Sequence, residues 1–342
     1  MKAARLHAYG EALALEEVRE PAINGPFEVI VRVGGAGLCR TDLHILDGQL
    51  EGRVDVELPY TLGHENAGWV AEIGSAVTTV AVGDPVIVHP LMTCGFCRAC
   101  RAGDDMHCEK SEFPGLTTDG GFAELLKTSA RAVVKLDPTL DPKDVAALSD
   151  AGLAAYHTVK KAAQVLHPGT RVVVIGAGGL GHIGIQCLKV VTSAEIIVVD
   201  SSPAALELAR ELGADHVLLF DGAHVAAVKD FTDGNGAEAV IDFVGEGDAI
   251  GEAAGMLRRS GTYYAVGYGG TLEIPTIDLT STELSFVGNL VGTYNELAEL
   301  MTLAAQGRVR AHTTTYPLDA IAAAVEDLRA GRLRGRGILL PS

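Results

Sequence analysis

Residues 171–191 read RVVVIGAGGLGHIGIQCLKVV. Val172, Val173, Val174 and Ile175 form a short apolar run of the kind that makes a strand buried on both faces. Gly176-Ala177-Gly178-Gly179-Leu180-Gly181 follows at once and fits G-x-G-x-x-G, and the residues from Leu180 to Val191 predict a helix. The glycine pattern alone decides little. With 41 glycines in 342 residues, three at those offsets arise by chance about 0.6 times in such a chain. A second, overlapping match exists at Gly179, Gly181 and Gly184. Only the first follows a strand directly and opens a helix. In that context the glycines allow a tight turn and let backbone N–H groups approach a pyrophosphate.

Outward from this turn the chain alternates strand and helix. Residues 196–199 predict the next strand, and Ser202-Pro203 opens a helix that Gly213 stops. Residues 217–219, 240–243, 263–266 and 286–290 continue the strands. This rhythm predicts an α/β fold with a doubly wound parallel (Rossmann) sheet. Asp200 ends the second strand at about the spacing of the acid that accepts the ribose hydroxyls of a dinucleotide. A carboxylate there repels a 2′-phosphate, and Ser201-Ser202 supplies no arginine for one, so NAD is expected over NADP.

The part before residue 141 reads differently. Val29, Val31 and Val33 alternate with Ile30 and Arg32 as in a strand, and residues 69–73 and 85–88 are further strand candidates. Trp69, the single tryptophan, is read as packing. Within this region lie Cys94, Cys97, Cys100 and Cys108, spaced C-x2-C-x2-C-x7-C. Two-residue gaps let sulfurs converge from tight turns, and four thiolates make a tetrahedral zinc site. Paired disulfides would need an oxidising compartment. The ferredoxin run has three residues and then proline around its last cysteine; here seven intervene and Glu109 follows. Zinc is the expected occupant, holding together a lobe at 90–112. Asp141-Pro142 predicts a helix start, with a capping side chain and proline at the first position. Helices are also expected near 296–306 and 319–329.

Composition bounds the function. A net charge of −17 with 48% hydrophobic residues indicates a globular chain of about two domains and disfavours nucleic acid or an anionic membrane as partner. The basic run RAGRLRGRG at 329–337 reads as a solvated turn after a helix, at most serving one phosphate. No signal peptide is expected, because the start MKAARLHAYGEALALEE turns acidic before an apolar core forms, and no membrane span, because the apolar stretch 172–188 is interrupted by glycines, His182 and Gln186. With four of six cysteines assigned to metal, a reduced cytoplasmic setting fits. Cys39 and His64, taken singly, would be a small buried hydrophobe and an ordinary histidine.

The order of these features, with the run GHENAGWVAEIGSAV at 63–77, resembles the zinc-dependent medium-chain alcohol dehydrogenases over essentially the whole chain, with bacterial secondary-alcohol and aryl-alcohol enzymes as the nearest subgroup. The resemblance implies a β-rich GroES-like catalytic domain at 1–151, the NAD-binding domain at 152–290 and a final segment, 291–342, that returns to the first domain. It implies a second, catalytic zinc held by Cys39, His64 and Asp150; many members have cysteine where this chain has Asp150, and some have aspartate. It further implies that Asp42 orients the ligand histidine, Glu65 sits behind the metal, Thr41 touches the substrate oxygen and His44 ends a proton relay. Arg40 and Arg334 match pyrophosphate-binding arginines, and Val266 and Leu290 are cofactor-side candidates. Ala205 departs from the family's frequent lysine on the adenosine ribose. The implied reaction interconverts alcohols with ketones or aldehydes by hydride transfer to NAD, at a site between the two domains, in a homotetramer. Pro90, Leu91 and Leu290 as pocket neighbours favour an apolar secondary or aromatic alcohol. A polyol or sugar dehydrogenase, and a zinc-stabilised NAD-binding sensor without turnover, are the alternatives.

Overall fold

The computed structural model describes residues 1–54, 56–247 and 249–341. The chain forms two compact units, Met1–Leu153 with Thr293–Ser342, and Ala154–Gly292.

The second unit is built on the glycine turn. Among the described residues its six strands are all parallel and run from edge to edge as His216–Leu219, Glu195–Asp200, Arg171–Ile175, Ala237–Asp242, Leu257–Ala265 and Ser285–Gly288. Chain order reverses between Arg171–Ile175 and Ala237–Asp242, which makes the gap between their carboxyl ends the switch point where doubly wound sheets bind ligands. Val172 through Ile175 are buried at 2% exposure or less, as central strands covered on both faces must be. The helix Gly181–Val191 follows the turn, and its inward residues Ile183, Ile185, Cys187 and Leu188 are fully buried. The expected strand at 263–266 is longer, Leu257–Ala265; its polar start at Arg258, Arg259 and Ser260 hides it from an apolar pattern.

Among the described residues the first unit holds two sheets. One orders Thr313–Pro317, Arg336–Leu340, Glu28–Leu38, Glu65–Ile73, Pro85–Val88 and Val133–Lys135, with Leu125–Ser129 also pairing Glu28–Leu38. The other comprises Ala14–Glu17, Lys2–Leu6 and Tyr60–Thr61. Val29, Val31, Val33, Val86, Val88, Phe122 and Leu126 share the core, and each such side chain contributes about 1.5–3 kcal/mol by burial. Two strands come from after residue 292, so the chain's end completes this unit's sheet. Asp141 caps its helix through Lys143 N at 3.1 Å, with Pro142 at the first position, but the helix is short, Pro142–Val145, and tightens into the 3-10 turn Ala146–Leu148.

The basic run does not end as a solvated turn: Arg336 opens a strand and is 3% exposed. Its alternation with glycine made it look solvated, whereas strand pairing between Gly337 and Leu38 pulls it into the interior.

Candidate active site and metal centres

Two adjacent strands and one turn of the first unit bring one set of side chains together. Glu28–Leu38 ends at Cys39, which is the N-cap of the helix Arg40–Leu46. His64 immediately precedes Glu65–Ile73, which pairs antiparallel with Glu28–Leu38 so that Glu65 faces Gly37. Asp150 lies between the turn Ala146–Leu148 and the helix Ala151–Ala162. Ligand atoms of Cys39, His64, Glu65 and Asp150 all lie within 4.8 Å of one another, with Cys39, His64 and Glu65 buried. A Cβ on Gly37 would sit 2.0 Å from Glu65 Oε2, so only glycine leaves room for that carboxylate.

The surroundings fix the orientation of each group. Asp42 is fully buried; its Oδ2 accepts the Cys39 N–H at 2.7 Å and its Oδ1 lies 3.3 Å from His64 Nδ1. The other ring nitrogen, Nε2, is 3.5 Å from Asp150 Oδ2. Nδ1 is thus backed by a carboxylate and Nε2 is turned toward Cys39 and Asp150, the arrangement that sets a metal-ligating tautomer. Burial alone would push the His64 pKa down; the Asp42 and Asp150 carboxylates outweigh it and pull it well up. The site therefore favours positive charge at this position. One sulfur, one imidazole nitrogen and one carboxylate converging with that field fit zinc with a fourth position left for a substrate.

Behind the set, Arg336 grips Glu65 through a two-point contact, Nε to Oε2 at 3.0 Å and Nη2 to Oε1. Burial pushes the Glu65 carboxyl up against the pull of this guanidinium. For Arg336 itself burial works against the charge, and the Cys39 sulfur and the Glu65 carboxylate overcome it, holding the guanidinium protonated. Asn66 N donates to the fully buried Ser149 Oγ at 2.9 Å, which ties the residue after His64-Glu65 to the residue before Asp150. The Phe113 and His64 rings meet T-shaped, 5.9 Å between centroids. Of the other candidates on the helix Arg40–Leu46, Arg40 is exposed, Thr41 is half-buried and His44 is 8% exposed. Sequence reasoning missed Arg336, Ser149 and Phe113. No spacing rule marks any of them, although Ser149 directly precedes the candidate ligand Asp150.

The second cluster, Cys94, Cys97, Cys100 and Cys108, also has its sulfurs within 4.8 Å of one another. Cys97 caps the short helix Arg98–Ala102, and Cys94 Sγ accepts the N–H groups of Phe96 and Cys97 at 3.5 and 3.4 Å. Those two N–H groups pull the Cys94 thiol down to about 6, toward the thiolate that zinc binds. Burial pushes Cys100 up to about 12, a proton that a bound cation would displace. Four sulfurs fill a tetrahedral shell, so this cluster fits a structural ion and leaves no position for substrate. Asp105, in the same lobe, accepts Tyr294 N at 3.1 Å and fastens the lobe to the helix Tyr294–Ala305. Cys97→Ser is expected to lower the midpoint of thermal unfolding by roughly 5 °C or more. Turnover per zinc-loaded molecule measured well below that midpoint should stay within about twofold of the parent, as read by calorimetry and initial rates.

In the second unit the glycine turn has the shape its sequence requires. Gly176 adopts φ +87, and a Cβ on Gly181 would lie 1.8 Å from the Gly176 carbonyl oxygen. Around Gly178 nothing lies within 4 Å of where a side chain would begin, leaving open the face on which a pyrophosphate would rest. His182 Nδ1 lies 2.8 Å from the Gly178 carbonyl. Asp200 Oδ2 accepts Ala177 N and Oδ1 accepts Ser202 N, each at 2.7 Å, so the acid is joined to the turn. Gly179 and Leu180 continue the turn. Val266 sits beside the end of Ala237–Asp242, its N–H on the Asp242 carbonyl at 3.0 Å. Leu290 is 57% exposed, two residues past Ser285–Gly288. Arg334 is exposed and belongs to the first unit, as does Arg40.

Comparison with known proteins adds relatives to this geometry. Residues 25–138 match the alcohol dehydrogenase GroES-like domain, and residues 179–306 match the zinc-binding dehydrogenase family. The chain is 35% identical over 345 residues to a D-arabinose 1-dehydrogenase (NADP(+)) of Saccharolobus solfataricus, covering 99% of this chain and 97% of that one. It is 35% identical over 351 residues to an NAD-dependent alcohol dehydrogenase of Sulfurisphaera tokodaii, covering 100% of both. The crystal structure of the alcohol dehydrogenase from Aeropyrum pernix superposes with a TM-score of 0.97 at 48% identity, covering 100% of each chain.

Proposed function

The chain belongs to the zinc-dependent medium-chain alcohol dehydrogenase family, and we propose that within it the protein is a zinc-assisted, NAD-dependent dehydrogenase of apolar secondary or aromatic alcohols. The observation that carries the reading is the convergence of the buried Cys39 and His64 with the half-buried Asp150 within 4.8 Å, three donors that would leave zinc a fourth position for a substrate oxygen. Zinc in that set would polarise the substrate oxygen as a Lewis acid, and a nicotinamide would accept the hydride.

The chain's own residues do the rest. Cys39, His64 and Asp150 would hold the metal, and Asp42 keeps the His64 ring turned with Nε2 inward. Thr41 Oγ1 would take the substrate hydroxyl proton as it gives up its own, and the nearly buried His44 imidazole would end the relay to solvent. Histidine suits this role because it exchanges protons near neutrality. Gly176, Gly178 and Gly181 admit the pyrophosphate, and Asp200 takes the ribose hydroxyls and disfavours a 2′-phosphate. His44→Gln is expected to lower the single-turnover rate of hydride transfer at pH 7 by roughly tenfold. The deficit should shrink above about pH 9, where hydroxide takes the proton directly. An unaltered pH profile would remove His44 from the proton path.

Phe113 supports the apolar substrate class, since its ring against His64 offers a hydrocarbon wall and no hydrogen bond to a sugar hydroxyl. The D-arabinose dehydrogenase relative favours the sugar alternative. Initial rates of NAD and NADP reduction with primary, secondary, benzylic and polyol substrates separate the two. Secondary or benzylic alcohols with NAD are expected to give the highest kcat/KM. Highest kcat/KM with a pentose or polyol would establish the alternative.

A further inference from the structure

Asp242 is an ionisable side chain with no exposed surface in the unit that carries the glycine turn. It ends the strand Ala237–Asp242 and pairs across the ladder with Ile175, the residue before Gly176, on one side and with Ala265 on the other. Oδ1 accepts the N–H groups of Val244 and Gly245 at 2.8 and 3.0 Å, and Oδ2 accepts the Tyr263 hydroxyl at 2.8 Å. No lysine or arginine pairs with it among the described residues. A carboxylate is the side chain that three inward-pointing donors satisfy; a neutral amide would set its own N–H against one of them. Burial raises the Tyr263 hydroxyl pKa, and the neighbouring Asp242 raises it further, so the phenol remains a donor. The loop held in this way touches the glycine turn, for a Cβ on Gly176 would lie 2.7 Å from Val244 Cγ2.

Its place in the sheet gives this buried acid a consequence. A doubly wound sheet holds the two halves of a dinucleotide on either side of the point where strand order reverses. Asp200, on the far side of Arg171–Ile175, marks the half that takes the adenosine ribose. Asp242 stands at the carboxyl end of the first strand of the other half, the one left for the nicotinamide. The oxidised nicotinamide ring carries one positive charge and the reduced ring none, while the phosphates are the same in both. A fixed negative charge under that half therefore acts on the two redox states unequally.

We propose that Asp242 is a positioning residue whose buried carboxylate favours the oxidised over the reduced nicotinamide, and so sets the balance between NAD⁺ and NADH binding. The inference rests on the nicotinamide reading given above. If Asp242 only scaffolded its loop, losing the charge would weaken both redox forms equally. The affinity ratio is the readout that a merely structural role does not move.

Calorimetric Kd values for NAD⁺ and NADH on the zinc-loaded full chain test this, with the parent, Asp242→Asn and Tyr263→Phe compared. Asp242→Asn is expected to weaken NAD⁺ relative to NADH by roughly five- to tenfold, the order of effect that losing one unit charge has through a partly screened medium. A tenfold change in that ratio is about 30 mV in the midpoint of the bound two-electron couple. Tyr263→Phe removes a hydroxyl whose hydrogen faces the carboxylate, leaves the charge less neutralised, and is expected to shift the ratio about twofold the other way. If Asp242→Asn does not fold, the sign of the Tyr263→Phe shift decides. An unchanged ratio in the variants that fold, whether or not both affinities fall, would overturn the proposal. A parent that binds neither nucleotide would overturn the nicotinamide reading and this inference with it.

Discussion

Cys39→Ala is expected to lower kcat/KM for alcohol oxidation by about 10³-fold or more, and to lower zinc content from two ions per chain to one. The size follows from the several kcal/mol that a Lewis-acidic metal contributes to stabilising charge in a transition state; about 4 kcal/mol is 10³ in rate. The selectivity for one ion follows from the fold. Cys39 stands at the end of Glu28–Leu38 and shares its cluster with His64, Glu65 and Asp150, while the four-cysteine lobe draws all its donors from residues 94–108. The variant should therefore keep the lobe's zinc and its thermal midpoint to within a few degrees. Metal analysis by atomic emission together with steady-state rates checks both halves. Two zinc ions and near-parental turnover in the variant would remove Cys39 from the ligand set.

The second large effect is on stability. Arg336→Met is expected to cost about 3–5 kcal/mol, because it leaves the Glu65 carboxylate buried without its partner. Glu65 has no exposed surface and makes a two-point contact with a guanidinium that is 3% exposed. Arg336→Lys should recover little, since an ammonium cannot make the parallel fork. The double variant Glu65→Gln with Arg336→Met removes both charges and is expected to recover at least half of the loss. Urea unfolding of the four proteins, followed by tryptophan fluorescence, reads this directly: Trp69 is the single tryptophan and lies in the same strand as Glu65. A loss below about 1 kcal/mol in Arg336→Met would mean that the pair adds no more than an exposed ion pair does.

The parallel sheet was legible because its physics is local. Most of its strands carry a short apolar run, the helix Pro203–Glu211 is capped by Ser202, and the turn at Gly176 needs glycine at named offsets, all within a few residues. The first unit was less so. Lys2–Leu6, Ala14–Glu17, Tyr60–Thr61 and Val133–Lys135 are 2–5 residues long, too short for a period to stand out. Their partners lie far off in sequence, as when Ala4 N reaches the Phe122 carbonyl at 2.8 Å.

The candidate metal cluster divides the same way. The four cysteines announce themselves by spacing. Cys39, His64 and Asp150 do not, and only a resemblance over the whole chain joined them before the fold did. Arg336 was read as solvated because charge and glycine alternate around it, yet pairing of Gly337 with Leu38 carries it inside. Asp242 and Tyr263 meet only because Leu257–Ala265 lies beside Ala237–Asp242 in the sheet. What a sequence hides here is any contact made between strands distant along the chain.

Zinc at Cys39, His64 and Asp150 is what would make this fold a catalyst. An anomalous difference map collected across the zinc absorption edge, from crystals of the protein grown with zinc present, tests this most directly. Two peaks per chain are expected, one among Cys94, Cys97, Cys100 and Cys108 and one bonded to Cys39 Sγ, His64 Nε2 and Asp150, at about 2.0–2.3 Å from each ligand atom. A single peak, confined to the four cysteines, would contradict it and leave a zinc-stabilised nucleotide-binding protein without a catalytic metal.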